Sequence, residues 1–381
     1  MVRVLHINAG KLYGGVETLL VGLARNRDLA PAMKPEFAVC FEGRLRAELV
    51  ETGVPVHMLG KTRIRRPISI LQARRCLLAL LVERSFDAVI CHMTWPQAIF
   101  APVVRSVGIQ QVFWMHDAGG RHWLERWAGR VRPDLVICNS SYTASTLPNI
   151  YARSRAEVVW YPVGAQVPSD VAGVRAELDT PRESVVIIQA SRMQEWKGHT
   201  LHIAALANLR KVPNWVCWVV GGAQRPSEVR YLQKLKRLAA AAGIADRMRF
   251  VGERSDVARL LAEADIFCQP NIGPEPFGIV FIEALYAGLP VVTVGMGGAL
   301  EIVDDSCGIL VEPGDAAALS QALAKLVSEP ESRMRLGASG PARASKLCDP
   351  ARQLARLCAT FETLLVRPAA STPLHGRMVA L

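Results

Sequence analysis

Short, mostly apolar runs recur along this chain, separated by longer stretches in which apolar residues return every three or four positions. In the first half the runs fall at residues 2–7, 35–41, 54–59, 88–91 and 111–114, then at 135–138 and 158–163. In the second half they fall at 184–189, 216–222, 248–251, 266–269, 291–294 and 308–311. Runs of this length without strict alternation predict strands buried on both faces, as in a parallel sheet. The intervening stretches predict helices, among them 18–24, 45–52, 68–84, 230–242, 257–264, 316–328, 331–344 and 350–366. Strand and helix alternate, pause near residue 163, and begin again near 184. The pattern predicts two α/β domains of alternating strands and helices.

One stretch concentrates chemistry. Residues 273–292 read Gly-Pro-Glu-Pro-Phe-Gly-Ile-Val-Phe-Ile-Glu-Ala-Leu-Tyr-Ala-Gly-Leu-Pro-Val-Val. Pro274 and Pro276 forbid a preceding helix, and Pro276 suits a first helical turn. Ile279, Phe281, Ile282, Leu285 and Tyr286 form its apolar stripe, and Gly288 with Pro290 ends it. The amides of Phe277 and Gly278 are expected at the helix N-terminus, where open N–H donors and the helix dipole favour an anion. Glu275 precedes that seat and Glu283 lies eight residues on. Two acceptor-only side chains around an anion seat suit a ligand carrying both hydroxyls and phosphates, as a nucleotide-sugar does.

Composition narrows the partners. The 381 residues suit two domains of about 150–190 residues. Half the residues are hydrophobic and 21% are charged, so the protein is globular. A formal net charge of +11 favours anionic partners such as nucleoside diphosphates, an anionic acceptor or an acidic membrane surface. Nucleic acid is not expected, because zinc-finger spacing, helix-turn-helix signals and aromatic-basic RNA motifs are absent. Nine Cys without a CxxC pair fit a reducing compartment, and neither a metal nor a redox role is expected. No run of about 20 apolar residues and no signal-peptide pattern occurs, so a cytoplasmic enzyme is expected, with peripheral contact at the inner membrane face. The basic residues 61–66, with Arg74 and Arg75, and the Trp/Arg-rich segment 123–132 are the candidates for that contact or for an anionic acceptor.

The stretch Glu275-Pro-Phe-Gly…Glu283-Ala…Gly288-Leu-Pro-Val-Val292 resembles the signature of the family-4 glycosyltransferases. Further matches support the resemblance: Gly14-Gly15-Val-Glu17, His116 in Val-Phe-Trp-Met-His-Asp, Arg192 and Lys197 in Ser-Arg-Met-Gln-Glu-Trp-Lys-Gly, and Gly252 after the run 248–251. It implies the GT-B architecture: two Rossmann-like domains facing an interdomain cleft, with a C-terminal helix crossing back to the first domain. The corresponding expectation is an N-terminal acceptor domain 1–165, a linker 166–182, a nucleotide-sugar domain 183–349, a returning helix 350–366 and a tail 367–381. Transfer of a hexosyl group to an acceptor hydroxyl with retention of configuration is implied, with no metal and no cofactor beyond the nucleotide-diphosphate sugar as co-substrate. The absence of an Asp-x-Asp triplet agrees with that.

The implied roles are Glu283 on the ribose hydroxyls, Arg192 and Lys197 on the diphosphate, and Glu275 with the Phe277 and Gly278 amides on the sugar. From the first domain His116 would act at the reacting carbon, contacting donor and acceptor, and the Gly14–Gly15 loop would bind the donor, while Gly252 marks the strand whose backbone reads the base. The family's Pro-Asn-Gly-Val-Asp turn is replaced here by Pro162-Val-Gly-Ala-Gln166, and Ala190-Ser191 replaces the small-Gly pair before Arg192. A UDP- or GDP-type donor and a sugar, lipid-linked or small-molecule acceptor are expected, in cell-envelope polysaccharide or glycolipid biosynthesis. The alternatives are a natural-product glycosyltransferase, an epimerase or phosphorylase on this fold, and a non-catalytic glycan- or lipid-binding protein.

Overall fold

The computed structural model describes residues 1–366 apart from Arg121 and Ser169; the expected tail, 367–381, lies outside the described residues. The chain divides into two units: 1–162 together with the segment from Pro350, and 163–349.

In the first unit the apolar runs become β1 (Val2–Asn8), β2 (Met33–Val39), β3 (Val56–Met58), β4 (Ala88–His92), β5 (Gln110–Met115), β6 (Leu135–Cys138) and β7 (Ala156–Val158). They form one parallel sheet in the order β3-β2-β1-β4-β5-β6-β7. Strand order therefore reverses between β1 and β4. In an open parallel sheet that reversal, at the carboxyl ends of the strands, is where ligands bind. Val4, Leu5, Ile7, Val89, Ile90, Phe113 and Trp114 are fully buried, as strands covered on both faces by helices require. The final run is shorter than expected: β7 ends at Val158, and the Val159 amide makes one more bond to β6, at the Cys138 carbonyl (2.9 Å), before the chain leaves the sheet. The helix Thr94–Ser106 has no counterpart in the sequence-based expectations. Pro96 sits in its first turn, where the missing N–H costs nothing, but Pro102 lies inside it and removes a helical hydrogen bond. The helix survives because Ile99, Phe100, Ala101 and Val104 are buried. The helix Pro350–Val366 belongs to this unit, with Leu354, Leu357, Phe361 and Leu364 buried on one stripe.

The second unit holds β8 (Val185–Ala190), β9 (Trp215–Val220), β10 (Met248–Gly252), β11 (Ile266–Gln269), β12 (Val291–Val294) and β13 (Gly308–Val311). Its sheet is also parallel, ordered β10-β9-β8-β11-β12-β13, with the reversal between β8 and β11. Trp215, Trp218, Phe267 and Phe281 are its large, fully covered side chains. The segment 166–182, expected as a linker, is partly built into this unit. A helical turn Val174–Glu177 buries Val174 completely. Arg175 Nη2 donates to Asp265 Oδ2 at 2.9 Å and to the Glu263 carbonyl at 3.0 Å.

Candidate functional site

Two candidates of the second unit, Lys197 and Glu275, meet at the carboxyl ends of β8 and β11, where its strand order reverses. After β8 the chain runs through Arg192 and a single helical turn, Glu195–Lys197, to Gly198. After β11 it runs through Asn271 to Glu275. The two loops touch through their backbones: the Ile272 amide donates to the Trp196 carbonyl at 2.9 Å. Gly198 sits at φ +73°, and a Cβ there would lie 1.6 Å from the Pro270 oxygen, so only glycine lets the loops approach. That approach brings together Lys197 and Glu275, which are 78 residues apart. Lys197 Nζ lies 2.7 Å from Glu275 Oε2 and 3.8 Å from the centre of the Trp196 ring. Asn271 Nδ2 donates to the same oxygen at 2.7 Å and Gln269 Nε2 at 3.3 Å. Glu275 is 8% exposed, and its carbonyl accepts from the Gly298 amide at 2.7 Å.

All three side-chain bonds fall on Oε2, which fixes the carboxylate's orientation. The other atoms of the supporting amides, Gln269 Oε1 and Asn271 Oδ1, are buried without a partner among the described residues. Such orphans are uncommon in folded proteins. Gln269 and Asn271 were not singled out in the sequence. They are isolated polar residues whose only signal is their position between a buried strand and Glu275.

Arg192 does not join this cluster. Its Nη2 donates to Glu228 Oε1 at 2.6 Å, and Glu228, 4% exposed, takes the Gln224 amide on its other oxygen at 2.7 Å. The two cations expected to act together are therefore each held by a separate carboxylate, and Glu228 is the partner the sequence did not disclose.

The helix after Glu275 begins later than expected. It spans Ile279–Tyr286, and Gly278 precedes it in a left-handed conformation at φ +104°. A Cβ on Gly278 would meet the Phe281 ring at 2.4 Å. Pro276 and Phe277 are thus outside the helix, and the Phe277 side chain is buried. Glu283 lies inside the helix, half-buried. Desolvation by burial raises its pKa to about 7. Gly252 ends β10 at φ +83°, and a Cβ there would meet nothing.

Glu283 yields a pH-dependent expectation. Below about 4.5, the ordinary value for a glutamate, the carboxyl is neutral in folded and unfolded chains alike, so it contributes no pH-dependent difference. As pH rises toward 7 the unfolded chain ionises first, and above 7 the folded state carries the full penalty. Glu283→Gln should therefore raise the unfolding temperature at pH 8, by up to about 3 kcal/mol of stability, and leave it unchanged at pH 4. Equal shifts at both pH values would contradict the assignment.

The first unit places its candidates at the matching edge of its own sheet. Gly14 and Gly15 open the helix Gly15–Arg25, and the Thr18 amide donates to the Gly14 carbonyl at 3.0 Å. His116 follows β5 and is 3% exposed. Its Nε2 lies 2.9 Å from His92 Nδ1, and its Nδ1 lies 2.5 Å from the Tyr161 hydroxyl. Both ring nitrogens are thus engaged within the unit, and burial lowers its pKa to about 3. The imidazole is neutral near pH 7.

The surface features of this unit also become concrete. Lys61, Arg63, Arg65, Arg66 and Arg75 are exposed, whereas Arg74 turns inward and donates to the Ile99 carbonyl at 2.7 Å. Trp123 and Trp127 stack with centroids 6.5 Å apart on the helix Trp123–Ala128. That helix ends before Arg130, so Arg126 and Arg130 do not share a helical face. No helix among the described residues is long and apolar enough to cross a membrane.

Comparison with known proteins gives a consistent picture. A family profile described as Glycosyltransferase Family 4 matches residues 13–164, and one described as Glycosyl transferases group 1 matches residues 172–343. The chain is 28% identical over 362 residues to a GDP-mannose-dependent monoacylated alpha-(1-6)-phosphatidylinositol monomannoside mannosyltransferase of Corynebacterium glutamicum, covering 86% of this chain and 89% of that protein. It is 31% identical over 209 residues to the lipopolysaccharide core biosynthesis glycosyltransferase LpsE of Rhizobium meliloti, covering 54% and 58%. The crystal structure of Anabaena HepE in complex with UDP and glucose superposes with a TM-score of 0.83 at 22% identity, covering 95% of this chain and all of that one.

Proposed function

The chain belongs to glycosyltransferase family 4, its two matched segments together spanning most of its length, and on that premise we propose that it moves a hexosyl group from a nucleotide-diphosphate sugar to an acceptor hydroxyl with retention of configuration. Its fold is GT-B, with two Rossmann-like units. The observation that carries the reading is the Lys197–Glu275 pair at the strand-order reversal of the second unit. A carboxylate pinned through one oxygen keeps the other available to sugar hydroxyls. A cation beside it neutralises a diphosphate as the bond to the sugar breaks.

In this reading Glu283 accepts from the ribose hydroxyls, Arg192 and Lys197 face the diphosphate, and Glu275, with the backbone at Phe277 and Gly278, holds the sugar. Gly252 stands where the base is read. The first unit takes the acceptor, with His116 at the reacting carbon between donor and acceptor and the Gly14–Gly15 loop against the donor. The anomeric carbon–oxygen bond to the diphosphate breaks, the acceptor oxygen attacks from the same face, and its proton passes to the departing phosphate oxygen. The carbon between them has oxocarbenium character. The scheme needs no metal ion and no cofactor besides the donor.

The relatives' names support a donor of the GDP or UDP type and acceptors of glycolipid or envelope-polysaccharide chemistry. The exposed Arg63, Arg65, Arg66 and Arg75 and the half-exposed Trp123 favour a lipid-linked, anionic acceptor presented at a membrane surface. Thermal-shift titration with UDP, GDP, ADP and dTDP is the first test. One of UDP or GDP should raise the unfolding temperature, by about 2.7 kcal/mol of stability at a hundredfold excess over Kd. With the matching sugar donor, nucleoside diphosphate should be released only when a lipid-linked acceptor is added. Release without acceptor would point to another reaction on this fold, and no shift with any nucleotide would remove the reading.

A further inference from the structure

Three histidines stand side by side at the carboxyl edge of the first sheet, one from each of three adjacent strands. His6 ends its side chain beside His92, the last residue of β4, and His92 beside His116, which follows β5. His6 Nδ1 lies 2.9 Å from His92 Nε2, and His92 Nδ1 lies 2.9 Å from His116 Nε2. The rings stack with centroids 5.2 Å apart in both steps. The series ends on Tyr161, whose oxygen also accepts from Asn139 Nδ2 at 3.1 Å. His6, His92 and His116 are at most 3% exposed.

Burial keeps all three rings neutral near pH 7, with His92 the most strongly affected of them. A neutral imidazole carries one proton on two nitrogens, so each ring donates on one side and accepts on the other. Each bond in the series holds one proton. The tautomers are therefore not independent: all three rings carry the proton on Nδ1, or all three carry it on Nε2. The His6 end favours one of them, in which Tyr161 accepts from both His116 and Asn139 and directs its own proton elsewhere. His6 Nε2 is buried with no partner among the described residues. With protons on Nε2 that end would be an orphaned N–H, which folded proteins almost never bury, whereas with protons on Nδ1 it is only an unused lone pair.

A second observation marks the same place. Met93, directly after His92, holds φ +73° and ψ +160°, a region that side chains other than glycine almost never occupy. Such strain costs on the order of 1–3 kcal/mol and persists where the surroundings impose it, commonly at functional sites. Here it falls immediately after the last residue of β4.

We propose that His6, His92, His116 and Tyr161 form one tautomeric relay that locks His116 with its proton on Nδ1, and that His92 and His6 are positioning residues for it. The consequence for turnover rests on the reading of His116 given above; the lock itself does not. His6 does not touch His116, yet it governs which nitrogen of His116 is protonated. The edge that the first unit offers to an acceptor is thus set to one hydrogen-bonding pattern.

The test uses the full chain labelled with ¹⁵N at its eight histidines and long-range ¹⁵N–¹H correlation at pH 7. In the wild type, His6, His92 and His116 should all show the Nδ1–H signature. His92→Phe keeps the stacking but removes both bonds. His116 should then shift toward a mixture of tautomers, with kcat falling about tenfold to a hundredfold and donor KM little changed. His92→Gln, which retains a donor and an acceptor, should restore part of both. His6→Phe, placed two rings away, guards against a variant that fails to fold and should move the His116 signal in the same direction. An Nε2–H or mixed signature in the wild type, or a His116 signal unmoved in both Phe variants, overturns the relay. A shifted His116 signal with unchanged kcat leaves the relay standing and removes His116 from the transfer reaction.

Discussion

Lys197→Ala should lower kcat by about two to three powers of ten while leaving donor KM within a few-fold of wild type. The magnitude is that of removing one preorganised group from the site of developing charge, on the order of 3 kcal/mol in the barrier. The split between the two constants follows from the geometry. Lys197 Nζ is already held by Glu275 and by the face of Trp196 before any ligand arrives. Its charge therefore needs little rearrangement when negative charge builds on the leaving group, and it acts mainly then. Glu275 keeps its bonds from Asn271 and Gln269 in the variant, so the sugar-binding carboxylate stays in place. Steady-state kinetics at saturating acceptor decide the matter. An effect on KM alone would make Lys197 a ground-state contact, and wild-type kinetics would remove the site.

Gly198→Ala should be the most damaging single-methyl change in the second unit. The added Cβ would lie 1.6 Å from the Pro270 oxygen on a residue that also needs φ +73°. Relief requires the two loops to part, which would separate Lys197 from Glu275. A loss of more than about 3 kcal/mol of stability is expected, since overpacking and backbone strain act together. Gly53→Ala is the control: its φ is +76° and its Cβ would meet nothing, so only the conformational cost of about 1–2 kcal/mol applies. Chemical denaturation of both variants measures the difference. Similar losses in the two would show that the loop contact is not what constrains Gly198.

Much of this arrangement was legible before any coordinates. The buried runs 135–138, 266–269 and 291–294 read as strands because parallel strands covered on both faces must be apolar throughout, and all three are strands at those positions. The helix Thr94–Ser106 was not legible because local rules penalise Pro102, and tertiary burial of Phe100 and its neighbours overrides them. The late start of the helix at Ile279 was hidden for a different reason. Pro276 is compatible with a first turn, and only the crowding of Phe281 against Gly278 moves the boundary. At the site, the residues around the helix N-terminus pointed to Glu275 and Glu283, and the family resemblance to Lys197 and Arg192. They did not reveal that Lys197 meets Glu275 while Arg192 meets Glu228, because such pairings are decided by which strands lie next to each other. In the sequence His6 only interrupts the apolar run 2–7, and His92 only follows the run 88–91 as a core or crevice-lining residue. Their meaning depends on β1, β4 and β5 being neighbours.

The helix Pro350–Val366 has a bearing on how the chain is made. It completes the unit that contains the amino terminus, burying Leu354, Leu357 and Phe361 there. The second unit is one uninterrupted segment and can fold as soon as it leaves the ribosome. The first unit must wait, with an apolar stripe uncovered, until some two hundred residues more have been synthesised. The half translated earliest is therefore the half finished last, and during that interval it is the natural client of chaperones.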